Sequence, residues 1–192
     1  MGRLIYSMSV SLDGFVETAS RSLDWVLIDE ELHAFFNAEA REMSAFLYGR
    51  RMYELMVDSW PTAEADPAAP PVVLEFARIW RDKPKVVFSR TLERVEWNSR
   101  LVGADAVGEV ARLRAQPGFD MGVGGSTLAA SLMQAGLIDE FRLFVHPVIL
   151  GAGTPFFPAL ADRIGLRLLE TRSFGSGVVY LRYVPVSPAV PI

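Results

Sequence analysis

The chain has 192 residues, 51% of them hydrophobic and 22% charged, which describes one ordinary water-soluble domain with enough length to bury its own core. It contains no cysteine, so disulfide frameworks and thiolate zinc sites are excluded, and a reducing cytoplasm suits it. The formal charge of −4 predicts neither nucleic acid nor an anionic membrane as a partner.

The N-terminus runs directly into an alternating segment without the layout of a signal peptide. Leu4, Tyr6, Met8, Val10 and Leu12 alternate with Ile5, Ser7, Ser9 and Ser11, predicting a strand with one apolar face and one small, mostly hydroxyl face. Asp13-Gly14 ends it with turn chemistry. A helix is expected from about Asp29 to about Glu42, with Asp29, Glu30 and Glu31 at its dipole-favoured start. Ser44–Tyr48 predicts a short strand, Gly49-Arg50-Arg51 a loop, and Met52–Val57 a helix. Pro61–Pro71 reads as a loop or insertion, Val73–Trp80 as a helix and Lys85–Phe88 as a buried strand.

Ala104–Ala115 predicts another helix, stopped by Pro117-Gly118, and Phe119–Val123 another strand. The next helix ends near Gly136, with Ser126 or Thr127 as its N-cap. Phe141–Leu150 is an apolar run broken at His146-Pro147, and Gly175-Ser176-Gly177 joins two terminal strands as a hairpin. No apolar run reaches the ~18 residues of a membrane span. The alternation of strands and helices predicts an α/β fold: a mostly parallel central sheet flanked by helices, with a C-terminal antiparallel hairpin.

In such a sheet, ligands bind outside the carboxyl ends of the strands. Four polar loops fall there: Ser11–Gly14, Gly49–Arg51, Ser89-Arg90-Thr91 and Gly124–Thr127. The last lacks the third glycine of a dinucleotide fingerprint, since Thr127 holds that place, and no lysine makes it a Walker loop. What remains is a Gly-Gly turn opening a helix, which suits either a phosphate or a plain cap. Arg50, Arg51 and Arg90 fit phosphate geometry, with solvated turns as the alternative. Asp13 is either a turn-forming residue or a catalytic carboxylate. Trp25 and His33 are candidate substrate contacts, with core and surface roles as the alternatives. His33 and His146 lack metal-ligand spacing.

In order, "SMSVSLDGFVE", "FLYGRRMYELM", "VVFSRTL", "GVGGSTLAASLMQAGLIDEFRLFVHPVILGAGTPFF" and the final hairpin resemble the dihydrofolate reductase-like superfamily. The resemblance covers nearly the whole chain. It is nearest to the C-terminal reductase domain of the bifunctional deaminase-reductases of riboflavin biosynthesis. It implies NADPH and hydride transfer to a small molecule such as a pterin, a pyrimidine or a carbonyl compound. Gly49, Arg50 and Arg51 would cradle the pyrophosphate and adenosine phosphate, and Ser89 and Arg90 the 2′-phosphate. Gly124, Gly125, Ser126, Thr127 and Leu128 would hold the pyrophosphate. Ser9 would lie near the nicotinamide, with Leu150 and Gly151 closing that pocket and Asp13 anchoring substrate or delivering the proton.

The substrate half departs from the family. Where dihydrofolate reductases carry an acidic residue on the first helix, this chain offers Asp29, Glu30, Glu31 and His33, and spacing does not choose among them. Val123 stands where the riboflavin branch often has an acid, and the fused deaminase is missing. A non-catalytic nucleotide-binding or interaction protein on the same fold is the alternative. The family also implies a homodimer, to which Phe141–Leu150 and the terminal hairpin are candidate contributors.

Overall fold

The computed structural model describes residues 1–186. Strand β1 (Leu4–Ser11) runs through the middle of the molecule and turns at Asp13-Gly14 into the short β2 (Phe15–Thr18). Helix α1 (Glu30–Glu42) begins at Asp29, whose carboxylate accepts the Leu32 N–H, and Glu30 and Glu31 occupy its first turn. Then follow β3 (Ala45–Gly49), α2 (Arg50–Ser59), α3 (Pro71–Asp82), β4 (Lys85–Phe88) and β5 (Ser99–Val102). The second half carries α4 (Ala106–Arg114), β6 (Met121–Gly124), α5 (Ser126–Gln134) and β7 (Glu140–His146). It ends with β8 (Gly153–Pro155), β9 (Gly165–Ser173) and β10 (Val179–Val186).

Eight strands form one sheet in the order β5-β4-β3-β6-β1-β7-β10-β9, while β2 and β8 pair separately. The six strands from β5 to β7 are mutually parallel; β10 is antiparallel to both β7 and β9. All six parallel strands therefore present their carboxyl ends to one rim. The expected fold class is the observed one. The expected strands and helices are present, with ends displaced by a few residues. Strands β2, β5 and β8 were not anticipated; each has only three or four residues, too few for a periodic signal.

Both sheet faces are covered. Leu4, Tyr6, Leu47, Val86 and Val123 pack in a core with Val110 of α4 and Leu132 of α5. On the other face Ile5, Phe46 and Val87 meet Ala40 of α1 and Trp80 of α3. The alternation expected in β1 holds as far as Val10, but Leu12 falls beyond the strand and is exposed. The hydroxyl face of β1 has a direct consequence. Ile5 pairs with Gly122 of β6, and Ser7, Ser9, Gly122 and Gly124 line the same space under the helices, which these small residues leave unfilled.

The Phe141–Leu150 run is mostly core rather than surface: Phe141 and Phe144 are buried within β7, while Ile149 beyond the strand is exposed. In the terminal hairpin the outer strand β9 is an open edge, with Leu168 and Leu169 exposed and a bulge opposite Arg182/Tyr183. No helix among the described residues is long and apolar enough to cross a membrane.

Candidate functional site

Three of the four polar loops meet at the carboxyl rim. They line one groove of about 1020 Å³, walled by Gly49–Arg51 after β3, Ser89–Thr91 after β4, and Gly125–Leu128 after β6. The register explains the meeting: β3 lies between β4 and β6, with Gly49 opposite Phe88 and Tyr48 opposite Gly124.

Three helices start at this groove, and two of them, α2 and α5, lack the aspartate cap of the third, α4; α3, which does not line the groove, is uncapped as well. Helix α1 is capped by Asp29 and α4 by Asp105. Helices α2 and α5 start at Gly49 and Gly125, with no side-chain cap and no acid in the first turn. Ser126 and Thr127, expected as caps, are instead the first residues of α5. The first bond within α5 runs from the Ala129 N–H to the Gly125 carbonyl, so the preceding N–H groups have no partner within the helix. Two dipole ends and their open donors therefore serve one groove, an arrangement that favours anionic oxygen.

Glycine has separate reasons at the two positions of the Gly-Gly turn. A Cβ on Gly124 would come within 2.8 Å of the Tyr48 ring, so this residue is set by packing and lines the space under α1 rather than the groove. Gly125 has φ +101°, which side chains rarely adopt, and its Cβ would meet Met52 at 3.4 Å. Gly125→Ala should cost about 1–3 kcal/mol of stability. It should also weaken any ligand held at the α5 start. An unchanged thermal midpoint would show that the turn relaxes without strain.

The arginines divide. Arg90 is exposed at the groove and makes no ion pair among the described residues. Arg50 pairs with Glu54 at 2.7 Å and donates to the Thr91 hydroxyl at 3.0 Å, which joins α2 to the loop after β4. The Ser89 hydroxyl accepts the N–H groups of Thr91 and Leu92, holding that loop in a tight turn. Arg51 departs from expectation. It pairs with Glu17 at 2.7 Å and donates to the Arg21 carbonyl at 3.0 Å, fastening α2 to the loop after β2. Glu17 also accepts from Thr154 at 2.7 Å, so Arg51 is a brace in the groove wall rather than a free cation.

Asp13 is likewise committed. Its carboxylate accepts from the Ser11 hydroxyl at 2.6 Å and from the N–H groups of Leu150 and Gly151 at 3.1 and 2.7 Å. Led by the Ser11 bond, these contacts hold its carboxyl below the ordinary range. An ionised carboxylate is a poor proton donor, and neither Asp13 nor Leu150 nor Gly151 lines either cavity. These three residues clasp the β1 turn to the loop after β7. Asp13, expected to anchor substrate or deliver the proton, and Leu150 and Gly151, expected to close the nicotinamide pocket, are thus bonded to one another in this structure.

A second cavity, a slot of about 290 Å³, lies under α1 and α3 on the face made shallow by Ser7, Ser9, Gly122 and Gly124. Met8 borders both spaces, so the slot adjoins the groove. Ser9 lines the slot rather than the groove. Of the four candidates at the start of α1, His33 alone reaches the slot. Asp29 is the cap, and Glu31 pairs with Arg172 at 2.8 Å. His33 is half-buried: it stands edge-on to Trp60 and Phe76, with ring centroids 6.1 and 6.0 Å away. Trp25 lies elsewhere. It packs edge-on to the buried His146 at 5.4 Å, outside both cavities, so its candidacy as a substrate contact is not supported.

Residues missed in the sequence complete the slot. Glu39 of α1 and Arg142 of β7 pair on its wall, and Arg142 also bonds Glu140 at 2.6 Å. Burial pushes the Glu39 carboxyl up, outweighing the arginine. At helical spacing Glu39 falls on the mostly apolar face of α1, and only the distant Arg142 gives it a reason to be inside.

A twisted sheet with this strand order, a rim groove offering two uncapped helix starts and an adjoining slot under the first helix define a dihydrofolate reductase-like α/β protein. More narrowly, the chain belongs to the RibD C-terminal domain family, whose model matches residues 3–180. It is 35% identical over 182 residues to the uncharacterized protein YyaP of Bacillus subtilis (strain 168), covering 94% of each chain. In structure it is similar to RibD of Acinetobacter baumannii, with TM-score 0.68 and 17% identity, covering 97% of this chain and 58% of that one. It is also similar to dihydrofolate reductase from Enterococcus faecalis, solved with NADP(H), with TM-score 0.64 and 14% identity, covering 97% and 98% of the two chains.

Proposed function

We propose that the protein is an NADPH-dependent reductase that passes a hydride to a small molecule. The observation that carries this reading is the pair of uncapped helix starts, α2 and α5, on one groove with a free Arg90 at its rim. The donor set fits the group. Open N–H groups at Gly125–Leu128 suit a pyrophosphate, and Ser89, Arg90 and Arg50 suit a terminal phosphate monoester. When bound, the reduced nicotinamide supplies the hydride. The chain's own residues bind and orient: the α2 and α5 starts fix the phosphates, the Arg51–Glu17 brace holds the groove wall, and Met8 separates groove from slot.

Titration of the protein with NADPH, followed by cofactor fluorescence, tests the reading. Saturable binding with NADPH preferred over NADH is expected; no binding of either would refute it. Binding without turnover of any pterin, pyrimidine or quinone would favour a non-catalytic nucleotide-binding protein.

The same reading includes a homodimer. The exposed Leu168 and Leu169 on the open edge β9 are its natural contact, since an uncovered edge strand pairs readily. Light scattering after size exclusion should return twice the chain mass, and Leu169→Arg should return one. A monomeric wild type would reject the dimer.

A further inference from the structure

We propose that Arg21 is a phosphate-binding arginine of the rim groove, and that it meets the pyrophosphate bridge of the dinucleotide and not its 2′-phosphate. This deepens the reductase reading and rests on it for the identity of the ligand in the groove.

The backbone at Arg21 has a shape that suits glycine. Its φ is +66°, in the left-handed region that side chains disfavour. The surrounding turn holds it there. The Arg21 N–H donates to the Thr18 carbonyl at 2.8 Å, and the Thr18 N–H donates to the Ser22 carbonyl at 3.2 Å. The Ser22 N–H donates to the Thr18 hydroxyl at 2.9 Å. The Arg51 guanidinium then fastens the Arg21 carbonyl to α2 at 3.0 Å. Of the three other non-glycine residues with positive φ among the described residues, Asn98 and Asp105 bond their side chains to backbone groups. The Arg21 side chain is exposed at the groove and makes no hydrogen bond or ion pair among the described residues. A turn that would take glycine with less strain thus carries a long cation that the fold does not use.

Charge places that cation. Four arginines and three acids line the groove. Arg50 pairs with Glu54 and Arg51 with Glu17, and the third acid, Asp105, accepts the Gly108 N–H as the cap of α4. Arg21 and Arg90 are left, and they stand apart. Arg90 follows β4, while Arg21 follows β2, into which β1 leads. In the sheet β3 and β6 lie between β4 and β1, so the open starts of α2 and α5 lie between the two cations. A phosphate at those starts meets N–H groups, but Arg50 and Arg51 are already paired. Arg21 supplies the missing guanidinium, which grips phosphate oxygens in pairs. Its carbonyl is tied to Arg51 in the first turn of α2, which anchors it at the helix starts and not at the loop after β4.

The test is binding of NADPH, NADH and adenosine 2′-monophosphate to the cofactor-free protein, read by calorimetry. Arg21→Asn removes the cation with a residue that tolerates positive φ. It should weaken NADPH and NADH alike, by about tenfold, the worth of one charge-assisted hydrogen bond. Adenosine 2′-monophosphate has no pyrophosphate and should change by less than about twofold, on the same scale. Arg21→Lys, which keeps the charge without the fork, should lose less than Arg21→Asn. The thermal midpoint of ligand-free Arg21→Asn should match or exceed that of wild type, since strain is relieved and no internal contact is lost. Unchanged affinity for both dinucleotides would overturn the proposal and leave the reductase reading standing. A loss confined to NADPH, or shared by the monophosphate, would overturn it by placing Arg21 at the 2′-phosphate. A midpoint lowered by more than about 4 °C would overturn it by showing that the side chain serves the fold. Wild-type protein that binds neither dinucleotide would defeat the reductase reading and this inference with it.

Discussion

Arg90→Ala is expected to weaken NADPH by roughly ten- to a hundredfold, the loss of about 1.5–3 kcal/mol from a charge-assisted hydrogen bond. NADH should change by less than about twofold, because it lacks the phosphate that Arg90 would meet. Arg90 suits this test because it is exposed and makes no ion pair among the described residues, so its removal breaks no internal contact. Arg51→Ala is the contrast. It removes the brace to Glu17 and the Arg21 carbonyl, so both cofactors and the thermal midpoint should suffer together. The Arg90 effect should also shrink with added salt, since an exposed charge is screened. Competitive titration of the two cofactors reads all of this directly. Equal losses for NADPH and NADH in Arg90→Ala would remove Arg90 from the phosphate site.

The rim was legible in the sequence because its parts are local. A strand end, a glycine and a helix start are adjacent residues, and Gly49-Arg50-Arg51, Ser89-Arg90 and Gly124-Gly125 each announce themselves. Parallel topology then forces their meeting, so the fold class alone carried the inference to one groove for three of the four loops. Asp13 shows where this fails. Its place at a strand end was right, but the groups that consume its carboxylate are Leu150 and Gly151, more than a hundred residues away. The slot was hidden for the same reason. Ser7, Ser9, Gly122 and Gly124 look like poor strand residues one at a time. Only the pairing of β1 with β6 shows that they are a shared absence of side chain, and that absence is the cavity. Local periodicity also could not reveal Glu39, because its partner Arg142 lies on another element.

That buried pair leads to the largest stability effect. Arg142→Met should destabilise the protein by about 3–5 kcal/mol, the usual cost of removing one partner from a buried ion pair. Arg142 bonds Glu39 from α1 and Glu140 beside it on β7, while Arg182 holds Glu140 at 2.9 and 3.0 Å. Burial opposes the ionised form of Glu140, but the hydrogen bonds of Arg182 and Arg142 outweigh it and hold that carboxyl low. Glu39 has less help, and burial already pushes it up. Without Arg142, Glu39 loses its paired cation and rises further. A carboxyl raised in the folded state binds more protons folded than unfolded near and above its unfolded value of about 4.3. Folded stability of the variant therefore falls as pH rises and recovers as pH drops. The deficit against wild type should be full at pH ~7 and smaller at pH ~5, provided that Glu39 takes up the proton. Urea unfolding at the two pH values measures it. In Arg142→Met with Glu39→Gln the deficit should lose most of this pH dependence, since Glu140 keeps Arg182. A deficit unchanged between pH ~7 and pH ~5 would show instead that Glu140, still held low by Arg182, and not Glu39 dominates the cluster.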